Sequence, residues 1–115
     1  MLKTHWTRWF SEIGVEDVPV VGGKNASLGE MTRELSSLGI SVPEGYAVTA
    51  DAYRYFLEAN ELEAAIRAAM AGLDKDDVED LRRRSRLIQN SVIGAIFLED
   101  LETEILRSYR ELCSR

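Results

Sequence analysis

The sequence predicts an α+β fold that is richer in helix than in strand, with short strands near residues 6–10 and 45–49. Helical periodicity is the first sign of this. Apolar residues recur at spacings of three and four at Leu28, Met31, Leu35 and Leu38, and again at Leu98, Leu101, Ile105, Tyr109 and Leu112. That period marks a helix buried on one side. The second sign is the run Trp6-Thr7-Arg8-Trp9-Phe10, rich in residues that suit a pleated surface. The third is punctuation: Gly39, Pro43, Asn60, Gly72 and Gly94 separate the segments.

In the first strand, Trp6 and Phe10 share one face, with Thr7 and Trp9 on the other. Such aromatics can stack on an adenine ring. At strand spacing they are read instead as core or sheet-face residues. Ser11 to Gly14 closes the strand, and Val15 to Val21 leads through Pro19 to a glycine pair. Asn25 is the predicted N-cap of a helix from about Ala26 to Leu38, with Leu28, Met31, Leu35 and Leu38 as its buried stripe. Gly39 is placed to stop it.

Gly45 to Thr49 reads as a strand after Pro43. Thr49 or Asp51 caps a helix over about 50–59, in which Tyr53, Tyr55 and Phe56 are read as packing residues. Asn60 breaks it. A helix over about 61–71 turns Leu62, Ile66, Ala69 and Met70 inward, and Gly72 ends it. The next helix is expected from Asp74 to about Ile93, acidic first and basic later, in the sense the helix dipole favours. Glu79–Arg83 and Asp80–Arg84 are its expected pairs. Gly94 breaks the pattern before the last helix.

Net charge is −6, from 14 basic and 20 acidic residues, which argues against a general affinity for nucleic acid. The arginines at 82, 83, 84 and 86 do not reverse this. Five acids and five bases between Asp74 and Arg86 cancel, as on a solvated helix face. The longest apolar run, Val92 to Leu98, has seven residues and contains Gly94, too short to span a membrane. No secretory leader is expected, and the cytoplasm is the default location. Cys113 is the single cysteine and His5 the single histidine, so no internal disulfide forms and a Cys–His catalytic pair is not expected. His5 is read as a surface residue. Adjacent acids such as Asp76-Asp77 and Glu99-Asp100 diverge on a helix and make no joint site, so no metal ligands are assigned.

The chemistry concentrates in Val21-Gly22-Gly23-Lys24-Asn25-Ala26-Ser27-Leu28-Gly29-Glu30-Met31. Glycines let a backbone approach a ligand closely. A helix start offers free N–H groups and the positive end of a dipole. A lysine adds a mobile charge suited to phosphate. Gly23, Lys24 and Asn25 are therefore the candidate phosphate-binding residues, and no catalytic residue is assigned. The spacing is not that of a P-loop, and by itself the motif also fits a turn, a helix start and a surface lysine.

Val21 to Met31, followed by Gly39-Ile40-Ser41-Val42-Pro43-Glu44-Gly45-Tyr46-Ala47-Val48-Thr49, then Ala52-Tyr53 and Phe56-Leu57, resembles the N-terminal end of the phosphoenolpyruvate synthases, the pyruvate, water dikinases. Trp9-Phe10 and the helix from Leu101 to Leu112 also fit. Pyruvate, phosphate dikinases usually read Gly-Gly-Lys-Gly-Ala-Asn-Leu-Ala-Glu-Met here, and Asn25, Ser27 and Gly29 side with the synthases. Antibiotic phosphotransferases of similar architecture share the Gly-Gly-Lys and stay open as an alternative.

The resemblance implies the helix-rich N-terminal portion of an ATP-grasp nucleotide-binding domain. It implies an enzyme that uses ATP, Mg2+ and water to convert pyruvate to phosphoenolpyruvate, AMP and phosphate, through a histidine on a separate domain. Lys24 occupies the position of the family lysine that contacts the ATP phosphates. The metal-binding carboxylates, an Arg-Ser-Ser-type motif, and the phosphohistidine and pyruvate domains are expected beyond Arg115. The implied partners are ATP and the remainder of the enzyme, with a homodimer at full length, and neither nucleic acid nor membrane. The contrasting reading is a non-catalytic helical module that binds or assembles through its apolar stripes.

Overall fold

The computed structural model describes residues 6–115; His5 lies outside them. Strands β1 (Thr7–Trp9) and β2 (Tyr46–Val48) pair antiparallel, with Thr7 opposite Val48 and Trp9 opposite Tyr46. Six helices accompany them among the described residues: α1 (Val18–Val21), α2 (Gly23–Ser37), α3 (Ala50–Ala59), α4 (Leu62–Met70), α5 (Val78–Ile93) and α6 (Glu99–Ser114). This is the α+β, helix-rich architecture expected. The chain divides into two compact units, residues 1–54 with 99–115, and residues 55–98.

In the first unit, the core gathers Ile13, Val21, Ala26 and Ala47, with Phe10 and Val20 packed against it. β1 also meets α6. The Thr7 and Ser108 hydroxyls lie 2.7 Å apart, and the Trp6 amide donates to the Glu104 carboxylate. Trp9 packs edge-on against Tyr46 and carries the Arg115 guanidinium over its face at 3.8 Å. The aromatics of the first strand are thus occupied by packing.

The approach to α2 departs from expectation. Val15–Asp17 forms a 3-10 turn and Val18–Val21 a short helix, where a connecting segment was predicted. Proline in the first helical turn lacks only an N–H that would be unpaired there anyway, so Pro19 is accommodated within α1. Asn25 is not the N-cap of α2. Gly22 holds that position at φ 85° and ψ 161°, a region essentially reserved for glycine, and the helix begins at Gly23. The Asn25 side chain turns back to donate to the Val21 carbonyl at 2.9 Å.

The buried stripe of α2 also differs. Ala26 and Gly29 are buried, Leu28 and Leu35 are half-buried, and Met31 and Leu38 are 47% and 73% exposed. The helix packs through its small residues, because only they allow its backbone to lie directly on the turn at Ile13. The far end matches the prediction. Gly39 adopts φ 76°, its amide bonds the Ser36 carbonyl and the Ile40 amide bonds the Leu35 carbonyl, closing a Schellman motif. Thr49, 2% exposed, caps α3 by accepting the Ala52 amide.

In the second unit α4 packs on α5. Leu62 is buried, whereas Met70 is exposed. Arg84 reaches the Ala69 and Ala71 carbonyls, pairing groups freed at the end of α4. Helix α5 starts at Val78 and not at Asp74. Asp74 accepts the Asp76 amide in a turn, and Asp77 caps the helix through the Asp80 amide. Asp80 pairs with Arg84 as expected, but Arg83 also turns to Asp80 and not to Glu79. The hydrogen bond from Arg83, with help from Arg84, holds the Asp80 carboxyl below its ordinary value. Tyr53 and Tyr109, expected to pack, are each more than half exposed.

Candidate functional site

The three residues singled out for phosphate stand together on the first turn of α2. The first intrahelical bond of that end runs from the Ala26 amide to the Gly22 carbonyl at 3.0 Å. Helix geometry therefore leaves the amides of Gly23, Lys24 and Asn25 without an intrahelical acceptor. Gly23 and Lys24 are exposed, and beyond the adjoining backbone nothing lies within 4 Å of where a side chain would begin at Gly22 or Gly23. A ligand oxygen can thus approach the main chain. No ion pair engages Lys24 among the described residues, so its charge is not spent on a neighbouring carboxylate.

Asn25 stands apart from the other two. It is half-buried, and its amide nitrogen is committed to Val21, which is 6% exposed. What Asn25 offers a ligand at this end is its main-chain N–H. Its side chain joins the helix start to the core.

This arrangement can hold an anion by converging amides, the positive helix end and one ammonium. It encloses nothing by itself. A hollow of about 330 Å³ lies elsewhere, and its charged lining is Arg8, Arg107, Glu12, Glu104 and Glu111. Its acids and bases are mixed, so it shows no preference for an anion. No group of three or more His, Cys, Asp or Glu side chains that could hold a metal occurs among the described residues. No helix among the described residues is long and apolar enough to cross a membrane.

Sequence reasoning missed the residues that fix this helix in place. Gly29 lies against Ile13, and a Cβ there would come within 2.7 Å of the Ile13 Cγ1 atom. Glu30 accepts the Val15 amide at 2.8 Å, and Arg33 donates to the Ile13 carbonyl at 3.4 Å. The available signal was an isolated glycine inside a helical pattern, which often marks a close approach.

Comparison with known proteins identifies the family. The family described as pyruvate phosphate dikinase, AMP/ATP-binding domain, matches residues 18–115. The chain is 48% identical to the phosphoenolpyruvate synthase of Aquifex aeolicus (strain VF5), over 93% of this chain and 12% of that protein. It is 42% identical to the phosphoenolpyruvate synthase of Synechocystis, over 93% of this chain and 13% of that protein. For the phosphoenolpyruvate synthase of Escherichia coli (strain K12) the values are 41%, 90% and 13%. The chain therefore spans only 12–13% of the length of these relatives. With a match that covers most of its residues, it belongs to the pyruvate phosphate dikinase AMP/ATP-binding domain family.

Proposed function

We propose that this chain supplies part of the ATP phosphate site of a phosphoenolpyruvate synthase. In that reading Lys24 and the amides of Gly23, Lys24 and Asn25 hold phosphate oxygens of ATP. The intact enzyme uses ATP and water to turn pyruvate into phosphoenolpyruvate, AMP and phosphate. The observation that carries the reading is the open first turn of α2, with an unpaired lysine beside free amides, in a chain of an AMP/ATP-binding family. The name borne by the relatives supports the choice of reaction.

The division of labour follows from the chemistry present. A lysine carries a point charge that neutralises phosphate and follows it as charge shifts. Amides fixed at a helix end need no reorganisation as the bond to phosphorus breaks. Magnesium accompanies ATP in this reading. The acids described here form no cluster for it, so its ligands are assigned to the rest of the enzyme and no step is derived through it. The adenine pocket, the phosphohistidine and the acceptor site are assigned there too. The remainder of the nucleotide-binding domain, of ATP-grasp type, then completes the half-site seen here.

The test is Lys24→Met in the intact enzyme. A charge-assisted hydrogen bond contributes about 1.5–3 kcal/mol, so ATP should bind roughly 10- to 150-fold more weakly by calorimetry. The circular dichroism spectrum should not change, because Lys24 is exposed and makes no ion pair. Unaltered ATP affinity would defeat the assignment.

A further inference from the structure

We propose that Glu30 is a positioning residue for the phosphate end of α2, a role that rests on the assignment of ATP to that end. Two glycines bring the turn at Ile13–Val15 onto the helix. A Cβ at Gly14 would sit 2.6 Å from Glu30 Oε1, and one at Gly29 would sit 2.7 Å from Ile13 Cγ1. Neither side of the contact has room for a side chain, so polar groups can meet across it. Glu30 Oε1 accepts the Val15 amide at 2.8 Å and lies 3.6 Å from Arg33 Nη1, while Arg33 Nη2 donates to the Ile13 carbonyl.

The consequence lies along the chain. From Val15 the backbone passes through the 3-10 turn and α1 to Gly22, whose amide bonds the Val18 carbonyl at 2.8 Å. It then enters α2. Residues 15–22 therefore make a loop closed on α2 at both ends, by Glu30 at Val15 and by the covalent chain at Gly22–Gly23. The Gly14 amide adds a bond to Asp17 Oδ2 at 2.9 Å, which stiffens the loop near its first end. Gly22, at φ 85°, is the bend at which α1 passes into α2. Val21 stays in the core and bonded by Asn25 when Val15 is released, but the turn at Val15–Asp17 loosens against α2, and the approach of the first-turn amides and Lys24 to a ligand is less firmly fixed. Preorganised donors lose strength when they must be reoriented on binding.

The experiment is steady-state kinetics of the intact enzyme with ATP varied, for Glu30→Ala, Glu30→Gln and Lys24→Met. Glu30→Ala should raise KM for ATP about tenfold, with kcat within about twofold and KM for the acceptor unchanged, the pattern of lost nucleotide binding. Glu30→Gln keeps a carbonyl oxygen for the Val15 amide and should recover to within about threefold of the parent KM. A smaller active fraction would lower kcat and leave KM in place, so a purely structural role gives a different result. Should Glu30→Ala fail to fold, Arg33→Met serves instead, with about a threefold rise in KM for ATP expected. A parental KM in the folded variant overturns the proposal. If Lys24→Met raises KM and Glu30→Ala does not, the positioning role alone falls. If Lys24→Met changes nothing, the ATP assignment falls and this role with it.

Discussion

At Gly22 a single backbone angle decides where α2 begins. With φ 85° and ψ 161° it starts the helix so that the next three amides have no intrahelical acceptor, and only glycine reaches that region without strain. Gly22→Ala should therefore lower stability by about 1–3 kcal/mol in urea unfolding of the intact enzyme. Parental stability would contradict the reading of that bend. Gly23 and Lys24 were legible as exposed residues at a helix start, because a glycine pair and a lysine just before a helical pattern mark a turn and a surface charge. The role of the Asn25 side chain was not legible. Asparagine is a good N-cap in general, but the glycine angle three residues earlier starts the helix first, and the side chain is left to bond Val21. Gly29 and Glu30 were missed for a related reason. Their roles depend on the turn at Ile13, which is distant in sequence and carries no motif.

Among the elements, helices were legible wherever a strong terminus coincided with a periodic run. Thr49 before α3 is the clearest case, since its hydroxyl accepts the Ala52 amide and the residue is buried. Thr49→Ala should cost about 1–2 kcal/mol, read as a lower denaturation midpoint with an unchanged slope. An unshifted midpoint would show that the cap contributes nothing. The start of α5 was misplaced because acids near residue 74 look like a helical first turn. Aspartate side chains there bond nearby amides in a turn and compete with the helix until Asp77 caps it. The burial of α2 was misread because periodicity records where apolar residues lie but not which neighbour arrives. Ile13 arrives at the small residues Ala26 and Gly29, and Met31 and Leu38 remain outside. The two strands were legible in place, but their pairing with each other was not.

For the molecule as a whole, family and fold class were readable together, since two motifs close in sequence, Val21–Met31 and Gly39–Thr49, cover the first glycine bend, most of α2 and β2. What composition could not show is how open the start of α2 is. The start of α2 is open to solvent, and the chain spans 12–13% of the length of relatives named phosphoenolpyruvate synthase. Completion of the site by the rest of the enzyme follows from the proposed function. The most direct measurement uses an acyl-phosphate analogue of ATP, which transfers its acyl group to a lysine amine beside the bound phosphates. The chain has three lysines, Lys3, Lys24 and Lys75, so two serve as internal controls when peptides of the labelled intact enzyme are mapped. Selective acylation of Lys24, suppressed by excess ATP, is the expected result. Acylation that passes over Lys24, or that ATP does not suppress there, would contradict the placement of the phosphates at the start of α2.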